Sequence, residues 1–114
     1  MGKKTAELTG AALDWAVAKI EQEWTDEDRW YNTIGYVDTG DVDDEPYYPS
    51  TDWAQGGPII EREKLGVSFE SVDLWEAWAY DGVTGTGPTP LIAAMRCYVA
   101  SKLGDEVEIP EELK

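Results

Sequence analysis

The side chains able to do chemistry in this sequence are carboxylates, one thiol, a few guanidiniums and many aromatic rings. Asp and Glu number 24 in 114 residues, against nine Lys and Arg, six Trp, six Tyr, one Cys and no His. Without histidine there is no imidazole general base, no Ser-His or Cys-His pair and no His metal ligand. The lone Cys97 excludes an internal disulfide and a Cys-rich zinc site. Paired carboxylates could act as acid and base. With 24 of them, however, some pair falls at a glycosidase-like separation by number alone, so that spacing carries no information. Cys97 lies between Arg96 and Tyr98 with Ala93, Ala94 and Ala100 on its helical face. That setting predicts a buried structural thiol rather than a nucleophilic thiolate. The expectation is a protein that is not an enzyme and carries no cofactor.

Metal and phosphate chemistry fare no better. The run Asp38-Thr39-Gly40-Asp41-Val42-Asp43-Asp44-Glu45 resembles a calcium loop. An EF-hand loop needs glycine at its sixth position, and that position is Pro46 when counted from Asp41 and Asp43 when counted from Asp38. Gly85-Thr86-Gly87-Pro88-Thr89-Pro90 has neither the Gly-Lys-Ser/Thr of a phosphate loop nor a third spaced glycine. Pro88 and Pro90 also remove two backbone donors from the helix start that comes next.

Two constellations remain as binding candidates. The first is acidic. Residues 21–52 hold eleven acids with Arg29 as their only base, and Asp38, Asp41, Asp43, Asp44 and Glu45 are the densest part. A formal charge of −15 repels DNA, RNA and anionic membranes at long range. It attracts basic proteins, and carboxylates in a row can occupy a site built for the phosphates of duplex DNA. The second is a pocket in which Trp53, Gln55, Arg62, Trp75, Trp78 and Arg96 combine stacking surfaces with a polar anchor. On a helical wheel Arg96 falls between Ile92, Val99 and Leu103, so it must find a carboxylate or carbonyls. An acid from the Trp53–Glu63 block is the expected partner.

The elements that would position these groups are those of a single α+β domain spanning 1–114. Two main helices, at about 10–24 and 90–103, pack with a small, mostly antiparallel sheet, and an acidic, loop-rich region covers about 25–58. Leu13, Ala16, Val17, Ile20 and Trp24 recur at helical spacing, with Asp14, Lys19, Glu21 and Glu23 on other faces. Ile34, Tyr36 and Val37 suggest a strand, Glu45-Pro46 a turn, and Tyr47–Trp53 a loop. Gly56-Gly57-Pro58 punctuates the chain, and the stretch 58–64 fits a short helix or a strand equally. Val67-Ser68-Phe69 and Leu74–Tyr80 read as a strand pair. Trp75, Ala77 and Ala79 share one face, and Leu74, Glu76, Trp78 and Tyr80 share the other, both apolar enough to be covered. Residues 82–88 read as a flexible loop. Thr89, Pro90 and Gly104 mark a helix start and stop, and only Arg96, Ser101 and Lys102 are polar between them. No run of ~18 apolar residues and no signal-peptide core is present.

Three blocks together carry a resemblance: Leu8-Thr9-Gly10-Ala11-Ala12-Leu13-Asp14-Trp15-Ala16-Val17-Ala18, Pro49–Glu63 with its Ser-Thr-Asp-Trp-Ala-Gln-Gly-Gly-Pro core, and Gly87–Gly104. In this order they resemble the NinX-type family of small tailed-phage and prophage accessory proteins, over nearly the whole chain except Trp24–Tyr48. The resemblance implies a context, the cytoplasm of an infected or lysogenic enterobacterial host. It supplies no catalytic residue. The expectation is therefore a non-enzymatic accessory protein that binds a basic host or phage protein through an acidic, nucleic-acid-mimicking surface, inhibiting or modulating it. The alternative is a module sequestering a small molecule or nucleotide in the Trp/Arg pocket. Neither involves direct contact with nucleic acid or membrane, and both leave a homo-oligomer open.

Overall fold

A computed structural model of the chain describes residues 2–22, 36–37, 45–46 and 48–109. The elements are strand β1 (Lys3–Lys4), a 3-10 turn (Thr5–Glu7), helix α1 (Gly10–Gln22), strands β2 (Tyr36–Val37) and β3 (Glu45–Pro46), helix α2 (Trp53–Glu63), strands β4 (Gly66–Ser71), β5 (Leu74–Trp78) and β6 (Thr84–Gly87), helix α3 (Pro90–Leu103) and strand β7 (Glu106–Val107). The architecture is α+β, with antiparallel pairing throughout: β1 with β7, β2 with β3, and a meander β4-β5-β6. Glu45-Pro46, expected as a turn, forms β3 opposite Tyr36 and Val37.

Helix α3 is the centre of the fold. The Thr89 hydroxyl accepts the Ile92 amide at 3.1 Å, Pro90 sits in the first turn, and Gly104 closes the helix at φ +91°. Leu91, Ala93, Ala94, Met95, Cys97, Tyr98 and Val99 are buried, and only Lys102 and Leu103 are exposed. The helix lies against all three strands of the meander, and α1, α2, the 3-10 turn and β7 also pack on it. At the far end of the chain Val107 and Ile109 are buried as their alternation suggests. The termini are tied by the β1–β7 ladder and by Thr5, whose amide donates to Asp105 O at 2.7 Å and whose hydroxyl donates to Gly104 O at 2.6 Å.

Of the segment 82–88, expected as a loop, only the ends are irregular, with Gly82 at φ +91°. Thr84–Gly87 is a strand whose alternate residues Gly85 and Gly87 face α3. A Cβ at Gly85 would stand 2.6 Å from the Cys97 amide nitrogen, and one at Gly87 would stand 2.7 Å from Ile92 Cγ2. Gly85 and Gly87 are there because strand and helix backbones touch, not because the chain turns.

Helix α2 answers the open choice at 58–64 in favour of helix, and it begins earlier than the punctuation suggests. Asp52 caps it by accepting the Ala54 amide at 2.9 Å, and Lys64 ends it in the left-handed region at φ 57°. Gly56, Gly57 and Pro58 therefore lie inside a helix. Gly56 is buried against the Pro49 carbonyl and Leu91, where a side chain would collide. Pro58 gives up one helical hydrogen bond in the second turn. Of the segment expected as a loop, Tyr48–Thr51 is a turn leading into the Asp52 cap.

Helix α1 is buried continuously from Ala12 to Ala18, Asp14 included. Asp14, expected on a polar face, instead accepts the Ser50 amide at 2.9 Å and so ties α1 to the turn before α2. The three blocks of the sequence resemblance thus meet: Asp14 of the first holds Ser50 of the second, and Arg96 of the third holds Leu8 of the first. Burial pushes the Asp14 carboxyl above its ordinary value, partly offset by hydrogen bonding from Ser50. A carboxyl raised in the fold binds its proton more tightly folded than unfolded. Its charge therefore costs stability at neutral pH, and the cost is relieved as pH falls through the raised value. Asp14→Asn keeps the acceptor for Ser50 without the charge. Urea titrations should find it at least as stable as the parent at pH 7, and it should lack the stabilisation that the parent gains as pH falls through the range above the ordinary Asp value of about 3.9. Asp14→Ala should lose about 1–3 kcal/mol at every pH, because it orphans a buried amide.

Candidate binding surface

The acidic residues singled out from sequence fall mostly beyond what the structure describes. Asp38, Asp41, Asp43 and Asp44 lie outside the described residues, and Glu45 is described only as the backbone partner of Val37.

The cations show where positive charge goes. Arg62 extends from the last turn of α2 and forks onto Glu21 of α1, Nη1 to Oε1 at 2.9 Å and Nη2 to Oε2 at 2.6 Å. Its Nε donates to Glu63 at 2.8 Å, and Lys102 of α3 reaches the other oxygen of Glu63 at 3.3 Å. The Tyr98 hydroxyl donates to Glu21 and receives Arg62 Nη2 at 3.1 Å. Burial works to raise the Glu21 carboxyl, but the Arg62 fork and the Tyr98 hydroxyl outweigh it and hold it below the usual carboxylate range. Glu63 is lowered chiefly by its hydrogen bond from Arg62. Tyr98 is pushed up by burial first and by Glu21 second. The cluster is a strap across three helices. Lys19 lies 5.1 Å from the centre of the Trp15 ring.

Arg96 does not find an acid of the Trp53–Glu63 block. Its Nε donates to Leu8 O at 2.8 Å and its Nη1 to Thr86 O at 2.9 Å, clamping the N-terminal segment and β6 to α3. Geometry explains the difference: Arg96 leaves α3 on the side of β6 and the 3-10 turn, away from α2. Burial alone lowers its pKa. Cys97 is buried with Sγ 3.3 Å from Val83 O, and burial followed by Asp81 pushes its thiol up to about 11. At neutral pH it is a packed thiol, not a nucleophile.

Away from these cations, the meander stands out. No Lys or Arg occurs from Leu65 to Met95, while Glu70, Asp73, Glu76 and Asp81 do. On the outer face of β5, Glu76 sits between Ser68 and Thr86, and Trp78 between Gly66 and Thr84. The Trp78 indole lies over Gly66, where a Cβ would strike the ring. Phe69 and Trp75, on the helix-facing side, meet edge to face at 5.3 Å near the hairpin end. Phe69, Val72, Leu74, Trp78 and Tyr80 are exposed, Val72 and Tyr80 almost entirely at 85% and 94%. The expectation that both faces of this strand are covered holds only for the Ala77 side; the outer face is open to solvent. Exposed apolar area of this kind, rimmed by charge, marks interaction surfaces.

The residues expected in a Trp/Arg pocket do not share one cavity. Trp53, 56% exposed, starts α2, and Gln55 in the same first turn accepts the Tyr48 amide. Arg62 is at the opposite end of that helix. Trp75 and Trp78 face opposite sides of β5, and Arg96 leaves α3 toward β6 and the 3-10 turn, away from α2. Sequence reasoning passed over Asp14, Glu21 and Tyr98, whose roles depend on helix packing. It also missed the exposed hairpin, for which the cation-free run 65–95 was the available signal. Among the described residues no group of three or more Cys, Asp or Glu is gathered as a metal site, and no helix is long and apolar enough to cross a membrane.

Residues 4–102 match the protein family described as Bacteriophage P22, NinX. Among curated proteins none matches this chain.

Proposed function

We propose that this chain, which belongs to the bacteriophage P22 NinX family, is a non-catalytic phage accessory protein that binds a basic host or phage protein and modulates or inhibits it. The observation that carries this reading is the distribution of charge over the fold. Arg62 and Lys102 are held by Glu21 and Glu63, Arg96 by carbonyls and Lys19 by a ring. The meander presents four acids, no base and five exposed apolar side chains. A basic partner would be steered by the −15 field and retained by carboxylates and by cation–π contact with Trp78 or Tyr80. If the partner's own ligand is DNA or RNA, the carboxylates stand where phosphates would. The acidic run Asp38–Glu45 would extend the same field. A histidine-free chain with a buried thiol gives catalysis little to work with. The place of action in this reading is the cytoplasm of the infected or lysogenic host.

The test is affinity capture from phage-infected lysate with elution in salt steps. The reading expects a basic protein that leaves at a few tenths molar salt and is displaced by duplex DNA if its site is a nucleic-acid site. Capture of an acidic protein, or retention through high salt, argues against it.

A further inference from the structure

A cavity of about 330 Å³ opens where the N-terminal segment, β6, the last turns of α3 and β7 meet, and Arg96 forms part of its wall. Part of its wall is built from small residues. Ala6 and Ala100 line it, and Gly85 adds only backbone. Its volume is at the lower end for small-molecule sites.

The charges in it are unusual for this chain. Twenty-four acids are available, yet among the described residues none pairs with Arg96. The guanidinium has five N–H donors. Leu8 O and Thr86 O take one each from Nε and Nη1, which fixes the plane of the group and leaves Nη2 uncommitted. Lys4, Asp105 and Glu106 also line the cavity. Lys4 and Glu106 are register partners on the β1–β7 ladder, so their side chains emerge next to each other. One small hollow therefore offers two cations and two carboxylates, with the best-held cation lacking a carboxylate. Among the described residues no aromatic side chain lines it, so these walls offer a nucleobase nothing to stack on.

We propose that this cavity is a binding site for a small aliphatic zwitterion the size of a free amino acid, its carboxylate on Arg96 with Lys4 and its ammonium on Asp105 with Glu106. A guest with both charges satisfies the wall, whereas a simple anion meets Asp105 and Glu106 and a simple cation meets Arg96. The carboxylate contact gains from the fixed guanidinium, because its orientation is set before the guest arrives.

The experiment is an amide NMR titration of the intact chain with the twenty amino acids singly, and with inorganic phosphate and GMP as comparison arms. The expected result is saturable shifts at Gly85 and Ala100 with at least one amino acid. Ala6→Leu, which narrows the cavity from an exposed position and leaves the Arg96 clamp intact, should weaken that binding about tenfold or more with little change in melting temperature. Arg96→Lys, which keeps the charge but not the fork, should weaken it as well. The proposal is overturned by no shift at about 10 mM of any amino acid, by binding that Ala6→Leu leaves unchanged, or by phosphate or GMP binding more tightly than every amino acid.

Discussion

Gly85→Ala is expected to destabilise the protein by about 3 kcal/mol, a large share of the stability of a domain this size. The added Cβ would lie 2.6 Å from the Cys97 nitrogen and 2.9 Å from both Ala93 O and Cys97 Cα. All three are main-chain atoms of α3, so no side chain can rotate away. Either β6 retreats from the helix, loosening its pairing with Ala77 and Trp78 and the Arg96 bond to Thr86 O, or α3 moves against the helices behind it. In urea, with a slope of about 2 kcal/mol/M, the midpoint should fall by roughly 1.5 M with the slope unchanged. Thr86→Ala, one residue along on the outer face, should stay within about 0.5 kcal/mol of the parent. A Gly85→Ala loss below ~1 kcal/mol would mean that strand and helix are not in backbone contact.

Arg96→Met should cost about 3 kcal/mol. The methionine keeps much of the stem but removes both donors, so Leu8 O and Thr86 O lose charge-assisted bonds at once. The first of these holds the segment between the 3-10 turn and α1, the second holds β6. The loss should appear as faster amide exchange in both segments as well as in the urea midpoint. Arg62→Met is the instructive contrast. Its fork onto Glu21 has the better geometry, but the side chain is 50% exposed, and a loss of only about 1 kcal/mol is expected. If Arg62→Met proves the more damaging of the two, the strap and not the clamp organises the helices.

How much of the fold was legible in the sequence differs from element to element. Helix α3 was readable because its signals are local: a threonine cap, a proline in the first turn, a glycine stop and an apolar wheel. The α+β class and the β4–β5 pair came from periodicity in the same way. β6 and the start of α2 were not readable, for one shared reason. Gly85, Gly87 and Gly56 look like turn residues, yet each is small because another element's backbone or side chain presses on it. Composition cannot separate a glycine that bends the chain from one that admits a neighbour. Asp14 shows the same limit for charge. Its spacing marks a position on α1 but not the Ser50 amide that waits there. For Arg96 the wheel pointed to a largely buried side chain paired with a carboxylate or carbonyls; it is only half-buried, and its partners are carbonyls, because the face it occupies looks toward β6 and away from α2. For the site, the strength of the acidic field was evident from the counts. The exposed hairpin became visible only once the sheet had an inside and an outside.

Binding of a basic partner by the acidic surface is best tested by the affinity for the captured protein as a function of salt. Three chains are compared: the parent, Glu70→Gln/Asp73→Asn/Glu76→Gln on the meander, and Asp41→Asn/Asp43→Asn/Asp44→Asn/Glu45→Gln in the acidic run. Exposed ion pairs contribute a few tenths to about 1 kcal/mol each, so the meander variant should bind about tenfold more weakly at low salt. Its affinity should also fall less steeply as salt rises, with the fold intact because like charges have been removed. A further loss in the second variant would place the acidic run in the same surface. Equal affinities and equal salt slopes for all three chains would contradict a role for this surface in binding.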